Sequence, residues 1–379
     1  MKSHKLFTLL AVLLVLVLAT QAAGAGLVWA QDATPAATPG VTAADFTPTT
    51  LVNIASDLSA AFAGKVADPS TVRLAIVVNV LSPFWTAAAI GEQRASSELG
   101  APVVFEAPDK NNSIASQQSI LESLVTDQYS GVAFSAVDPA SVVNVVKEGM
   151  AANTNFLLMD SDSPDSGRPI YLGLNNYNGG VLAAKAMLTA LDNGANCGKV
   201  YGFVGFITAQ NAIDRIQGIK DTFKGTNCTL DNVLVDNGDP SKALSNAETA
   251  ITTYPDAVGF IGLYSYNGPA IGQALTAAGK VGSIKLVSFD LEPGTIAQLK
   301  ESPSPVSAAI GQRVYYYGYL DIYLLYSMAA IGKDATLKVL DPYLSGPNHD
   351  SIDAGADIVT ADTLPAYQQY LSSIGIKSQ

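Results

Sequence analysis

The sequence predicts an α/β protein of two doubly wound parallel-sheet lobes, and three observations carry that prediction. From residue 73 onward, short β-branched runs alternate with amphipathic helical segments, a pattern that calls for parallel strands covered by helices on both faces. Nine such strands would overfill one small sheet, so they divide between two. The chain has 379 residues, 48% of them hydrophobic, enough for two separate cores.

At the amino terminus, Lys2 and Lys5 precede the apolar run LFTLLAVLLVLVLA. Small residues follow, ending at Val28, Trp29 and Ala30 before Gln31 and Asp32. This reads as a signal peptide over residues 1–30, which makes the protein exported, to the periplasm or the outer face of the cytoplasmic membrane. An uncleaved anchor is the alternative, since residues 6–30 carry no charge. Residues 20–26 are too polar and Gly-rich for a good span, which favours cleavage. No cysteine lies near the signal, so a lipoprotein anchor is excluded. Loss of Lys2 and Lys5 would take the formal charge from −12 to −14, a surface that repels nucleic acid and anionic lipid. No second apolar run is long enough to span a bilayer, so the remainder reads as soluble and is expected to be monomeric.

Residues 31–50 are small and rich in Pro and Thr, a tether that cannot bury enough apolar surface to fold alone. Leu51, Ile54, Leu58 and Phe62 then recur at helical spacing behind Thr50 as a cap, so a helix is expected to dock on the main body. Tether and helix together occupy 31–72. Beyond them, strands are predicted over 73–79, 103–106, 131–135, 155–160, 170–174, 199–205, 233–236, 257–263 and 284–290. Helices are predicted over 113–126, 140–151, 178–191, 211–224, 242–253 and 269–279, with a further alanine-rich helix after Trp85. Cys197 and Cys228 each fall just before a strand, with one helix between them. A right-handed β-α-β unit brings such positions to the same sheet edge, so a disulfide is expected; two unpaired thiols are the alternative. By loop entropy the bond would contribute roughly 3–4 kcal/mol.

In an open parallel sheet the ligand sits beyond the carboxyl ends of the strands. The strand exits hold Asn79 with Phe84 and Trp85, then Asp160, Ser161 and Asp162. Residues 207–211 follow, leading from Asn211 into Arg215, and then Tyr264, Tyr266, Asn267 and Asp290. Carboxylates, amides, a guanidinium and aromatics converging on a cleft are the profile of a small-molecule site. Catalytic groupings are scarce. Histidine occurs only at His4 and His349, no serine sits in a G-x-S-x-G elbow, and there is no phosphate loop or dinucleotide fingerprint. With no histidine pair and the cysteines expected to be bonded, neither a metal nor a cofactor is predicted. Carboxylates accept from hydroxyls, Gln312 and Asn267 both donate and accept, and Arg215 offers a fork of donors. That set suits a small neutral polyhydroxylated ligand whose apolar ring face lies on an aromatic plane. Other readings stay open: Trp85 as a core residue, Asp162 as a turn acid, and Arg215 in an ion pair with Asp214 or Asp221. Tyr315, Tyr316, Tyr317 and Tyr319 are assigned to helix packing.

Several stretches resemble the type I periplasmic sugar-binding proteins, the ribose-binding-like solute receptors of ABC transporters. The resemblance runs from Arg73 to Gln312 and more loosely into the tail. SPFW followed by AAAIGEQRASSELG is similar to that family's N-P-F-F/W turn and first helix, with Ser82 where Asn often stands. LLMDSDSPDSGRPIYLGLNNYNGG resembles the strand that ends in a ligand-binding Asp, here Asp160, and then the hinge. Ser161 replaces the arginine of the ribose receptors, which disfavours ribose itself. AIDRIQGIKD puts Arg215 on the sugar-contacting arginine. SYNGPAIGQAL puts Tyr266 on the binding Asn and Asn267 on the following Asp. KLVSFD puts Asp290 on the ligand-contacting Asp, and AAIGQRVYYYGYLD puts Gln312 on a hinge glutamine that reaches the sugar.

The resemblance implies a three-stranded hinge between the lobes. The first lobe would be 73–174 plus 313–344, and the second 175–312 plus 345–379. It also implies a receptor that captures a neutral sugar, sugar alcohol or cyclitol and hands it to an ABC permease in the membrane, without being an enzyme. Two other functions compete with this one. A ligand sensor for a membrane kinase or chemoreceptor would use the same cleft, and a glycosidase would use Asp160 and Asp290.

Overall fold

Strands buried on both faces read as unbroken apolar runs, and the central strands here follow that rule. The computed structural model describes residues 40–109 and 113–376, so the expected signal peptide and residues 31–39 of the tether lie outside the described residues. In the first lobe β1 (Leu74–Val77), β2 (Val103–Glu106), β3 (Gly131–Phe134), β4 (Asn155–Met159) and β5 (Tyr171–Gly173) are joined by a late strand, β11 (Ser351–Asp353). All pair in parallel, in the order β11-β5-β4-β3-β1-β2. The second lobe comprises β6 (Lys199–Val204), β7 (Thr229–Val235), β8 (Ala257–Gly262), β9 (Lys285–Phe289), β10 (Ala308–Gln312) and β12 (Ala356–Val359). Their order is β12-β10-β9-β8-β6-β7, with β12 antiparallel to β10. Apart from β11 and β12, the two orders correspond strand for strand, so β4 and β9 occupy equivalent places. Sheet membership moves one expected boundary: residues 351–353 belong to the first sheet, and the last crossing falls after them.

The first lobe carries α1 (Thr49–Phe62), α2 (Thr86–Leu99), α3 (Ser113–Thr126) and α4 (Val143–Ala151). The second carries α5 (Asn176–Ala190), α6 (Gln210–Phe223), α7 (Pro240–Thr253), α8 (Asn267–Ala277) and α9 (Pro293–Leu299). The chain then returns through α10 (Val314–Ile331) and α11 (Lys333–Leu340) to the first lobe and ends in α12 (Leu364–Ser373) on the second. Alternate residues of each strand enter opposite cores. Leu74 and Ile76 pack with α1, α2 and α10, whereas Ala75 and Val77 pack with Leu121 of α3 and Val146 of α4. In the second sheet Phe203 and Leu286 face α8 and α12, while Val204 and Val287 face α5 and α6. Cys197 and Cys228 are bonded, with Cα atoms 4.7 Å apart, and tie the turn before β6 to the turn before β7.

Two close approaches set the helix layers. A Cβ on Gly318 of α10 would lie 1.8 Å from the Ala88 carbonyl oxygen of α2, and one on Gly91 would lie 2.2 Å from the Tyr315 oxygen. Backbone cannot yield there as a flexible side chain could. Gly318→Ala should therefore push the helices apart and cost about 2 kcal/mol, read as a lower urea midpoint with unchanged slope. At the amino end Phe46 packs edge-on against Tyr367 of α12 at 5.1 Å, within the second lobe's core. Five residues later Leu51 enters the first lobe's core, so this segment touches both lobes. Among the described residues no helix is long and apolar enough to cross a membrane.

Candidate functional site

The strand exits deliver two carboxylates by the same device. Asp160 follows β4 and Asp290 follows β9, each in left-handed backbone conformation, with φ of 57° and 67°. Aspartate tolerates that region better than most residues. The backbone N–H of Asp160 donates to the Leu172 carbonyl and that of Asp290 to the Ile310 carbonyl, so each turn is pinned to the neighbouring strand. Both side chains are buried, at 7% and 6% exposure. Burial pushes both carboxyls above their ordinary range, Asp290 to about 7, and the nearby Arg215 guanidinium opposes the shift at each. Arg215 thus lies within the field of an acid from either lobe.

Arg215 is itself held rigidly. Its Nε donates to Asn176 Oδ1 at 2.9 Å, its Nη1 donates to the Leu263 carbonyl at 2.6 Å, and the guanidinium sits 4.2 Å from the Phe289 ring centroid. The α5–α6 approach that places it depends on Gly180, where a Cβ would lie 2.1 Å from the Arg215 carbonyl oxygen. No ion pair to Asp214 or Asp221 forms: those acids accept from Gln210 and from Lys224, Gln217 and Tyr177.

On the first lobe, Asp160 Oδ2 accepts from Ser135 Oγ at 2.8 Å and more weakly from Asn79 Nδ2 at 3.5 Å. Asn79 Oδ1 in turn accepts from the Trp85 indole at 3.2 Å. Trp85 is 2% exposed and belongs to the first core, so the expectation that it walls the cleft is corrected: it braces Asn79 from behind. Phe84, edge-on to Trp85 at 4.9 Å, is only half-buried and faces the space between the lobes, with Ser82 half-buried just before it.

Asp162 is also corrected. It chelates Arg168 through both oxygens, at 2.6 and 2.5 Å, and Arg168 also pairs with Asp350 at 3.1 Å. Its lone pairs serve the loop, and the Arg168 side chain is 4% exposed. Asp162→Asn should lower stability by about 2 kcal/mol, because it weakens a buried pair whose cation keeps one partner. Ligand affinity should stay within about twofold by calorimetry; a tenfold loss would return Asp162 to the site.

On the second lobe, Asn267 is fully buried. It accepts from the Tyr264 backbone N–H at 3.0 Å and donates to Asp236 Oδ2 at 2.8 Å. The Tyr266 hydroxyl donates to Asp236 Oδ1 at 2.6 Å. Asn267 is thus spent on positioning, which corrects its assignment as a direct ligand contact, whereas Tyr266 stays half-buried with its hydroxyl engaged by Asp236. Tyr264 and Asn211 stand half-buried nearby, joined hydroxyl to Oδ1 at 3.1 Å. The sequence reading missed Asp236 and Ser135 as site-shaping residues. Both sit at the carboxyl ends of predicted strands, so the same strand-exit rule could have found them.

The hinge runs into this site. Among the described residues the chain passes between the sheets three times: from β5 to α5, from β10 to α10, and from β11 to β12. Gln312, at the end of β10, donates to Asp290 Oδ1 at 3.0 Å and accepts from the Tyr317 hydroxyl at 3.1 Å. The same hydroxyl accepts from the Leu174 backbone N–H of the first crossing. Arg313 spans to the third, chelating Asp357 and donating to the Ala354 carbonyl. A hydrogen-bonded chain therefore connects the first two crossings to Asp290, and Arg313, next in sequence to Gln312, ties the second crossing to the third. Among the described residues no cluster of side chains could hold a metal ion.

Two doubly wound lobes with acids and a guanidinium gathered at their strand ends define a two-lobed ligand receptor. More particularly, residues 74–334 match the periplasmic binding protein domain family, and the chain belongs to it. An ABC transporter solute-binding protein from Burkholderia graminis, solved in complex with D-arabinose, is 26% identical, with 80% of this chain and 99% of that one covered and a TM-score of 0.71. A sugar-binding protein of a sugar ABC transporter from Bacillus halodurans is 24% identical over 78% and 99% of the two chains, with a TM-score of 0.66. A solute-binding protein from Agrobacterium vitis bound with alpha-D-tagatopyranose is 21% identical over 81% and 99%, with a TM-score of 0.69. The last two likenesses speak for the fold alone.

Proposed function

We propose that this protein is the exported solute-binding component of an ABC importer and captures a neutral sugar, sugar alcohol or cyclitol between its lobes. The observation that carries the reading is the placement of Asp160 and Asp290 at equivalent strand exits of opposite lobes, both in the field of one immobilised guanidinium. Arg215, Asp160, Asp290 and Gln312 would bind the hydroxyls, with Phe84 against the ring and Asn211, Tyr264 and Ser82 at the rim. Two acids against one guanidinium disfavour an anionic ligand such as a sugar phosphate. The arrangement serves binding better than glycoside hydrolysis, because each carboxylate is already engaged by Ser135 or Gln312. The relative solved with D-arabinose supports the ligand class. Contacts supplied by both lobes would make the ligand favour the closed arrangement, which a permease could then recognise.

Titration calorimetry with D-arabinose, other pentoses, hexoses, polyols and inositols tests the reading. At least one should bind with a Kd below millimolar; if none does, the reading is wrong. Binding should also shift Trp85 emission, since the indole holds Asn79 and Asn79 reaches Asp160.

A further inference from the structure

Beside the polar constellation lies an interlobe cavity of about 280 Å³. Asp290 and Gln312 form its polar end. Glu292 and Arg313 are charged, and Thr86, Tyr315, Tyr367 and Tyr370 carry hydroxyls, but most of the wall is carbon: Phe84 and Ala87 of the first lobe, Ile296 of α9, and Leu371, Ile374 and Ile376 at the carboxyl end of the chain. Asp290, Gln312 and Phe84, three of the residues proposed to hold the sugar, therefore open directly onto a largely apolar space framed by both lobes. A second unsubstituted sugar ring would find few partners along the apolar walls. Hydroxyls turned toward Ala87, Ile296 and Leu371 would lose water and gain no partner, and each such loss opposes binding. An apolar group attached to the sugar meets no such penalty and gains by leaving water.

We propose that the ligand is a sugar or polyol carrying an apolar substituent, such as an alkyl or aryl glycoside. Its hydroxyls meet Asp290 and Gln312, and its substituent fills this cavity. The inference rests on the proposed sugar-binding role of that pair and adds the chemical class of the substituent. Ala87 stands at the start of α2 and Leu371 in the last turns of α12, so the cavity is closed by one element from each lobe. Its shape thus depends on the lobes being together, and filling it would favour their closed arrangement.

The test is calorimetry on the full chain with matched series: D-arabinose, D-galactose and D-glucose as free sugars and as methyl, butyl and phenyl glycosides of both anomers. For one sugar and one anomer, affinity should rise along the series by about fourfold per buried methylene, so that the butyl or phenyl glycoside binds more than tenfold tighter than the free sugar. Leu371→Trp, which fills the cavity, should erase that increment and keep free-sugar affinity; Ala87→Trp offers the same reading from the opposite wall should the first variant misfold. Free sugar binding as tightly as every glycoside would overturn the inference and leave the sugar-receptor reading standing. So would an increment that survives in both variants. If neither free sugars nor glycosides bind, both readings fall together.

Discussion

Asp290→Asn should cost about 100-fold in sugar affinity and, at the same time, make the unliganded protein more stable at pH 8. The first effect follows because hydroxyls donate more strongly to a carboxylate than to an amide oxygen, and because the amide leaves Arg215 with one acid fewer. The second follows from burial. The Asp290 carboxyl is held at about 7 in the folded chain, against an ordinary aspartate value near 4 in the unfolded one. Between those limits the folded state binds the extra proton, so wild-type stability falls as pH rises from about 4 to about 7 and is level above that. Asparagine titrates in neither state and removes this slope, a gain of a few kcal/mol at pH 8. Urea denaturation at pH 5, 6, 7 and 8 checks it, and curves that stay parallel would contradict it. Wild-type affinity should also weaken as pH drops below about 7, as the accepting carboxylate gains its proton. The Asn variant's residual affinity should change less over that interval, with Asp160 as its remaining titrating acid.

The parts of the site that were legible in the sequence are those fixed by strand topology. A residue placed just after a central parallel strand points into the cleft whatever its neighbours do, which is why Asp160 and Asp290 could be named from the pattern of strands. Arg215 came from the same rule one helical turn later. Side-chain direction inside an irregular turn is a different matter. Pro83, Phe84 and Trp85 form a single 3-10 turn, in which consecutive side chains diverge by roughly 120°. One aromatic then faces the cleft while the next enters the core, and composition does not say which. Asp162 and Arg168 pair across a loop whose path no periodicity encodes. The three-residue strand β11 is too short to show any, so its return to the first sheet could not be read. Asn267 and Tyr266 were legible as strand-exit residues, but not as partners of Asp236, which arrives from β7, two places away from β8 in the sheet.

Asp321→Asn should stabilise the protein by a margin that is absent near pH 4 and grows as pH rises above it. Helix α10 is buried nearly all round, against the first sheet, α1 and α2, and its one acid has nowhere to go. Asp321 is fully buried, neither carboxyl oxygen has a hydrogen-bond partner among the described residues, and burial drives the group well above its ordinary range. The folded chain therefore keeps the proton while the unfolded chain releases it near pH 4. Above that point the unfolded state binds fewer protons, so each further unit of pH favours unfolding by about 1.4 kcal/mol while the folded carboxyl stays neutral. Asparagine carries no such slope. Glu92 and Asp290 are raised too, but they are common to both proteins and cancel in the difference. Tyr317, which joins Gln312 to the first crossing, lies one turn earlier on the same face of α10. Sugar affinity measured on the same variant therefore separates two roles for the acid. If stability rises while affinity holds within twofold, the buried carboxyl burdens folding without steering the hinge. If affinity shifts as well, Asp321 acts on the site through Tyr317.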